Sequence, residues 1–324
     1  MDKKRVALLF GGRGAEREIS KKSAEFVLPR IDRGIFEPIS VFISRDGAFW
    51  LIKDGERTPC ALTRGGIIDA GNVFLPIFSA FALLHGDFGE DGRVQGLLEC
   101  LDIPYVGCGV TAGAVCSDKA LTKTVAEHIG IPSVPWMLHT RGENPKKRAE
   151  LNLKYPMFFK PCALGSSIGI ERARSPEEFD RAQTLAEKYG ERIIIEEGAD
   201  ILCELECAFF ESLGKSYFNV GSVFADGFFD YEKKYGSEAD TRCGAVKEEY
   251  SEAVISYSRA LVREIGIRQI ARLDFFLTKT GEILFNEINT MPGFTERSLY
   301  PALIHEAGIE QTELITRLLL EAPD

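Results

Sequence analysis

The apolar positions of the chain fall into short runs separated by glycine-punctuated polar turns, the pattern of strands buried in a sheet. Residues 5–10, RVALLF, form one such run, meet Gly11-Gly12-Arg13-Gly14, and give way to a helical pattern from Ala15. PISVFISR reads as the next strand. The apolar run from Val73 ends in a polar loop at Gly92 that holds His85, Asp87, Glu90 and Asp91. A helix over Arg93 to Leu101 follows, then a short strand, Pro104-Tyr105-Val106. This alternation predicts an α/β fold with a parallel sheet. The small-residue stretch Gly107 to Ala114, ahead of Ser117-Asp118, marks a candidate boundary.

Beyond it, a helix over Asp118 to Ile129 takes Ser117 or Asp118 as its cap. A polar loop, His139 to Pro145, precedes a helix and then the strand Met157 to Lys160, which leads into PCALGSSIGI. Ile193 to Ile195 read as a strand, followed by Glu196-Glu197 and the alternating Glu204 and Glu206. Gly214-Lys215-Ser216 lacks the leading glycine of a phosphate loop, since Phe209 stands there, and reads as a hairpin turn. Residues 228–241 are polar and aromatic without period, a long loop of the kind that forms lids. ARLDFFL and ILF flank Lys279-Thr280-Gly281 as a β-hairpin, and an amphipathic helix over Thr312 to Leu320 closes the chain.

Length and charge narrow the function. A chain of 324 residues suggests two or three structural units, and 45% apolar content is enough for a full core. A formal charge of −10 argues against nucleic acid or an anionic membrane as the partner. An anionic substrate therefore needs a local cluster of lysine and arginine. The first apolar run is too short for a signal-peptide core and no stretch is long enough to span a bilayer, so a cytoplasmic protein is expected. The eight cysteines form no CxxC pair, and no histidine stands near them in ligand-like order. They read as reduced, packed thiols rather than a zinc site.

The hairpin carries the most chemistry. Alternation puts Arg272 with Asp274 on one face, and Glu287 with Asn289 on one face of the partner strand. Two carboxylates and an amide oxygen are hard ligands suited to Mg²⁺ beside substrate phosphates; the other reading is a solvated face. The first glycine turn fails as a dinucleotide fingerprint, because Arg17 stands at the third glycine and no acid closes the second strand. It does set Glu16 at the mouth of the first strand–helix unit. Lys160 before a Gly/Ser turn is either a phosphate cradle or only a turn.

In order, these stretches are Gly11-Gly12-x-x-Ala15-Glu16-Arg17-Glu18, His85-Gly86-x-x-Gly89-Glu90-Asp91-Gly92, Asp118-Lys119 and Lys160-Pro161 with Gly165-Ser166-Ser167-x-Gly169. There follow Asp230-Tyr231-x-x-Lys234-Tyr235, Arg272-Leu273-Asp274 and Glu287-Ile288-Asn289-Thr290-x-Pro292-Gly293. Together they resemble the D-alanine–D-alanine ligases of the ATP-grasp class over nearly the whole chain. The resemblance implies a three-domain ATP-grasp architecture, α/β and α+β in parts, with a Rossmann-like parallel-sheet domain over 1–116. A central subdomain over 117–211 and a C-terminal one over 212–324, with its lid loop at 228–241, would hold ATP between them.

The resemblance also implies roles. Lys119 and Lys160 match the phosphate-binding lysines, Glu197 the adenine-side acid (Glu196 being the neighbouring alternative) and Glu204 the ribose-binding acid. Asp274, Glu287 and Asn289 match the ligands of two Mg²⁺ ions, with Mn²⁺ as a substitute. Glu16 matches the group on the first D-alanine's ammonium and His85 a residue near that substrate. Ser166 and Tyr235 match a set bonded to Glu16 that closes the lid. Arg272 and the Gly293 N–H match the oxyanion donors, and Ser298 the group on the second substrate's carboxylate. Lys234-Tyr235 resembles the dipeptide-forming members, and Leu299 gives an apolar wall suited to a methyl group. Glu296-Arg297 and Ala163-Leu164 depart from the family pattern. The implied activity is ATP-dependent synthesis of D-alanyl-D-alanine for peptidoglycan, by a cytoplasmic homodimer paired through its N-terminal domain. D-serine as acceptor and a catalytically silent nucleotide-binding protein are the alternatives.

Overall fold

The computed structural model describes residues 2–143, 152–165, 167–223, 243–244 and 246–322. Their strands form three sheets. The first contains β1 (Lys4–Gly11), β2 (Phe36–Ile43), β3 (Phe49–Lys53), β4 (Glu56–Thr63), β5 (Gly66–Ile68), β6 (Phe74–Pro76) and β7 (Ser79–Ala82). Its order is β6-β5-β4-β3-β2-β1-β7, and only β2-β1-β7 run parallel. The expected parallel sheet is this β2-β1-β7 part, and the rest joins it as antiparallel ribbons. The signal was present: Asp54-Gly55, both at positive φ, is a two-residue hairpin loop between Lys53 and Glu56. β4 is largely exposed, so it lacks the apolar run that marks a buried strand. The expected strand at Tyr105 is a single bridge to Ala80.

β1 is buried on both faces, as a central parallel strand must be. Val6 and Leu8 pack with Phe26, Val27 and Phe81, and Ala7 and Leu9 with Val41 and Leu98. Its exit needs glycine. At Gly11, with φ +94°, a Cβ would stand 2.5 Å from the Ile43 carbonyl oxygen. Gly12 follows at φ +97°, and the chain turns into the helix Arg17–Val27 with Glu16 at its N-cap.

The second sheet is antiparallel, in the order β10-β9-β11-β8, from β8 (Trp136–Thr140), β9 (Met157–Pro161), β10 (Glu171–Ala173) and β11 (Arg192–Glu197). His139, expected in a loop, lies in β8 opposite Ile193. One face packs Met157, Phe159, Ile193 and Ile195 under the helix Pro176–Ala186. On the other face Ile194 and Cys162 meet Ala120 of the helix Lys119–His128.

The third sheet, β14-β13-β12-β15-β16, holds β12 (Ile201–Ser212), β13 (Lys215–Val223), β14 (Cys243–Gly244), β15 (Ile270–Thr278) and β16 (Ile283–Asn289). Leu213-Gly214, both at positive φ, turn β12 into β13, the hairpin expected around Gly214. Leu205, Cys207, Phe209, Leu273 and Phe275 pack one face against the helix Glu248–Ile265. The opposite face is divided. Ala208, Phe210 and Ile270 join a core with Tyr300, Leu303 and Leu318, and that core reaches Phe81 of the first sheet through Phe294, 5.5 Å between ring centroids. Further along the same face stand Glu204, Glu206, Arg272 and Asp274, which are discussed below. The passage from second to third sheet falls between Glu197 and Ile201, so the expected limit at Glu211 lies inside β12. No helix among the described residues is long and apolar enough to cross a membrane.

Gly11→Ala is expected to destabilise the protein by on the order of 1–3 kcal/mol, from backbone strain together with the clash at Ile43. The denaturation midpoint of the variant measures this, and an unchanged midpoint would show that the turn relaxes freely.

Candidate active site

The first wall of the site is the helix Lys119–His128. Asp118 caps it, Oδ1 accepting from the Ala120 and Leu121 N–H groups at 3.0 Å each, and its other oxygen pairs with Arg192. The cap fixes where the helix starts and so aims Lys119. That ammonium donates to the Leu164 carbonyl at 2.7 Å and stands 3.2 Å from Glu287 Oε2. One turn on, Lys123 is fully buried, 3.0 Å from Glu196 Oε1, whose other oxygen lies 2.5 Å from Lys160 Nζ. Lys160 and Glu196 reach each other because β9 and β11 pair Lys160 with Ile194, two residues from Glu196 on the same face. Burial pushes the Glu196 carboxyl up, but the two ammoniums overcome it and hold its pKa at about 2.

The second wall is the β15–β16 hairpin. Asp274 stands opposite Glu287 and Arg272 opposite Asn289, so the two faces coincide as the alternation of the sequence suggested. Arg272 grips Asp274 with two bonds, 2.8 and 2.7 Å, and its Nε lies 3.0 Å from Glu206 Oε2 on β12. Asn289 donates to Asp274 Oδ2 at 3.0 Å. The register shifts between Asp274 and Phe275, an irregularity that lets the consecutive Asn286 and Glu287 both line the same cleft. Among the described residues no three His, Cys, Asp or Glu side chains group as a metal set. The donors here are two carboxylates and an amide, too few to enclose an ion but suited to one shared with phosphate oxygens and water.

The third wall comes from the first sheet. Glu16 lies against two glycines: a side chain at Gly86 would collide with its carboxylate, and a Cβ at Gly165 would stand 3.4 Å from Oε2. The acid thus sits between the 85–92 loop and the turn after β9. Glu90 accepts from the Gly86 N–H at 2.7 Å and the Met291 N–H at 3.0 Å. Burial, with the Glu16 charge, raises its pKa to about 8. His85 is buried, with Nε2 2.9 Å from the Ser23 hydroxyl and Nδ1 2.9 Å from the Met291 carbonyl. A carbonyl only accepts, so Nδ1 carries the proton. Burial holds the pKa of His85 down at about 4 and Arg272 adds to this, against the bond to Met291.

Met291 leads to Gly293, where a Cβ would lie 2.8 Å from the Ser298 hydroxyl. Ser298 stands at the N-cap of the helix Leu299–Glu306 without capping it; its Oγ instead accepts from the Thr295 N–H at 3.0 Å. Leu299 is buried in the core beside Phe294 and Tyr300, while Glu296 and Arg297 are exposed.

Between the walls lies a cleft of about 320 Å³, within the range of small-molecule sites. Lys119, Lys160, Glu197, Glu204, Phe158 and Glu287 are among its lining. A smaller cavity of about 40 Å³, lined in part by Gly86, Glu90 and Asn289, shares Lys119, Leu164, Gly165 and Glu287 with it. The two spaces meet at a lysine and a carboxylate. Of the expected acids, Glu197 and Glu204 line the cleft from the two ends of the link between second and third sheets, and Glu197 also accepts from the Lys154 N–H at 3.0 Å. Ser166, Lys234 and Tyr235, with the loop at 228–241, lie outside the described residues. Sequence reasoning gave no role to Lys123, Glu90 or Glu206. The pairing of Glu204 and Glu206 at period two was the visible hint for Glu206; for Lys123 the hint was its spacing of four from Lys119.

Comparisons agree along the whole chain. The family profile described as D-ala D-ala ligase N-terminus matches residues 5–108, and that described as D-ala D-ala ligase C-terminus matches residues 125–320. The D-alanine–D-alanine ligase of Deinococcus radiodurans is 39% identical over 334 residues, 98% of each chain. That of Streptococcus thermophilus is 36% identical over 335 residues, 99% of this chain and 96% of the relative. Among solved structures, the D-alanyl-alanine synthetase A of Vibrio cholerae superposes with a TM-score of 0.90 at 27% identity, covering 99% of both chains. The VanG D-Ala:D-Ser ligase of Enterococcus faecalis superposes at 0.88 with 28% identity, covering 99% of this chain and 100% of that one.

The depressed pKa of His85 has a stability consequence. A neutral buried imidazole favours the folded state above the unfolded pKa of 6.5, and that contribution is lost as pH falls through about 4. The melting temperature is therefore expected to fall on the acid side of pH 6.5, and His85→Gln to make that fall shallower. An unchanged slope would show that another group carries it.

Proposed function

The chain belongs to the D-alanine–D-alanine ligase family, and from that premise we propose that it joins two D-alanines into D-alanyl-D-alanine, a peptidoglycan precursor, while ATP becomes ADP and phosphate. The observation that carries this reading is the meeting of the two cavities at Lys119 and Glu287. A nucleotide in the larger one would present its terminal phosphate to an amino acid in the smaller.

A carboxylate resists attack by an amine, so it is first activated. Its oxygen takes the γ-phosphoryl group of ATP, forming an acylphosphate and releasing ADP. The amine of the second D-alanine then adds to the acyl carbon, loses a proton, and expels phosphate. Positioning and charge neutralisation supply most of the catalysis in phosphoryl transfer. Lys119 and Lys160 would hold phosphate oxygens, Glu204 the ribose and Glu197 the adenine side. Asp274, Glu287 and Asn289 fit Mg²⁺, or Mn²⁺ in its place, which when bound would neutralise charge on the transferring phosphoryl group.

Glu16 would bind the ammonium of the first D-alanine, as its place between Gly86 and Gly165 at the smaller cavity supports. His85, neutral and tied to Met291, would hold the segment that ends in Gly293. The Gly293 N–H and Arg272 would stabilise the tetrahedral oxyanion. Donors of that kind are worth roughly 3 kcal/mol each elsewhere. Ser298, at a helix N-terminus, would take the second substrate's carboxylate, with Leu299 behind it. Ser166, Lys234 and Tyr235 complete the proposed site as lid contacts that exclude water. A cytoplasmic homodimer, paired through the N-terminal unit, belongs to the same reading.

D-serine as the acceptor is a second reading, favoured by the similarity to the D-Ala:D-Ser ligase structure. An apolar wall rejects an added hydroxyl by only about a hundredfold, so Leu299 discriminates weakly. Phosphate release from Mg-ATP is expected with D-alanine alone, giving only the alanyl dipeptide by mass when D-serine or D-lactate is also present. A mixed product would change the acceptor but keep the chemistry, and no release under any condition would refute the ligase. Arg272→Ala is expected to abolish turnover while ADP binding persists. Normal dipeptide synthesis by that variant would remove Arg272 from the oxyanion site.

A further inference from the structure

Among the described residues, the most anomalous charge is Lys123. Its side chain is fully buried in the middle of a helix, where methionine or leucine would pack without desolvating an ammonium. A buried ion pair is rarely more stable than apolar residues of the same volume, so stability does not explain it. Its contacts point elsewhere. Nζ lies 3.0 Å from Glu196 Oε1 and 3.3 Å from the Phe285 carbonyl oxygen, and the other oxygen of Glu196 holds Lys160 at 2.5 Å. Lys123 therefore touches the second sheet through Glu196 and the third through β16, two residues before Glu287. Only Lys160 and Glu196 of this trio line the nucleotide cleft; Lys123 stands behind them.

We propose that Lys123 is a positioning residue for the nucleotide, neutralising Glu196 so that Lys160 keeps its positive charge for the phosphates. This deepens the ligase reading and rests on it for the identity of the ligand. Two ammoniums and one carboxylate leave the trio with a net charge of +1 facing the cleft. Without Lys123, Glu196 and Lys160 would cancel, and Lys160 would be held back as the sole counter-ion of a buried carboxylate. The Phe285 contact fixes the trio relative to β16, so the lysine and the hairpin acids stay in register across the cleft.

The charge count gives signs that a merely structural role does not. In calorimetric titration of the full chain with ADP, Lys123→Met should weaken binding at least tenfold. Combining it with Glu196→Gln restores the net +1 and should bring affinity back to within about threefold of the original. Glu196→Gln alone should bind ADP at least as tightly as the original. In turnover, Lys123→Met should raise KM for ATP and leave KM for D-alanine unchanged. Binding within twofold for Lys123→Met, or no recovery in the folded double variant, overturns the proposal. Should Lys123→Met not fold, Glu196→Gln decides by itself, a loss greater than fivefold overturning the proposal and a gain or equality supporting it. Intact ADP binding by a chain that makes no dipeptide would fail the ligase reading while leaving Lys123 in place.

Discussion

Carboxylates held in a partly desolvated cleft need cations beside them, and the acids of this site are arranged around that need. Arg272 serves Asp274 and Glu206, Lys119 serves Glu287, and Lys123 with Lys160 serves Glu196. The cations are also the groups suited to an anionic nucleotide and an oxyanion, in a protein that is acidic as a whole. In the proposed site, ligand phosphates would compete with the protein's own carboxylates for those cations. Affinity in such a site is set by how strongly each carboxylate holds its partner, which is why a lysine with no access to the cleft can matter.

Backbone geometry makes the arrangement possible. One face of the third sheet packs apolar side chains against the Glu248–Ile265 helix, and its other face is apolar only over the part covered by the Leu299–Glu306 and Gln311–Leu320 helices. Where that cover stops, the same alternation brings Glu204, Glu206, Asp274 and Arg272 to one surface. The irregular register beside Asp274 then adds Asn286 and Glu287 to the lining of the cleft. Rigid strands suit this task, because reacting groups must be held to within fractions of an ångström.

Much of this was legible in the sequence, and the misses have physical reasons. Arg272, Asp274, Glu287 and Asn289 could be paired from period-two alternation because strand geometry is local. Asp118 could be read as a cap for the same reason. The antiparallel extension of the first sheet was missed although Asp54-Gly55 announces a hairpin, because β4 is exposed and carries no apolar run. Lys123 was passed over for another reason: despite its spacing of four from Lys119, a lysine on a helix reads as solvent-facing until tertiary packing buries it. Glu90 likewise looks like an ordinary loop acid, and only the fold brings the Met291 N–H to it.

Glu90 also shows how the substrate end is held together. Its two oxygens join the Gly86 loop of the first sheet to Met291 of the third, and His85 adds a second link through the Met291 carbonyl. Both polar groups of one peptide segment are thus fixed by the N-terminal loop. Gly293 follows two residues later with the Ser298 hydroxyl close against it, so any side chain there would push that hydroxyl aside. The segment that would face the second substrate is therefore positioned by the loop that would bind the first. Glu296-Arg297, both exposed, can then vary without loosening it. In the proposed site, acceptor choice would fall to Ser298, with Leu299 packed in the core behind it.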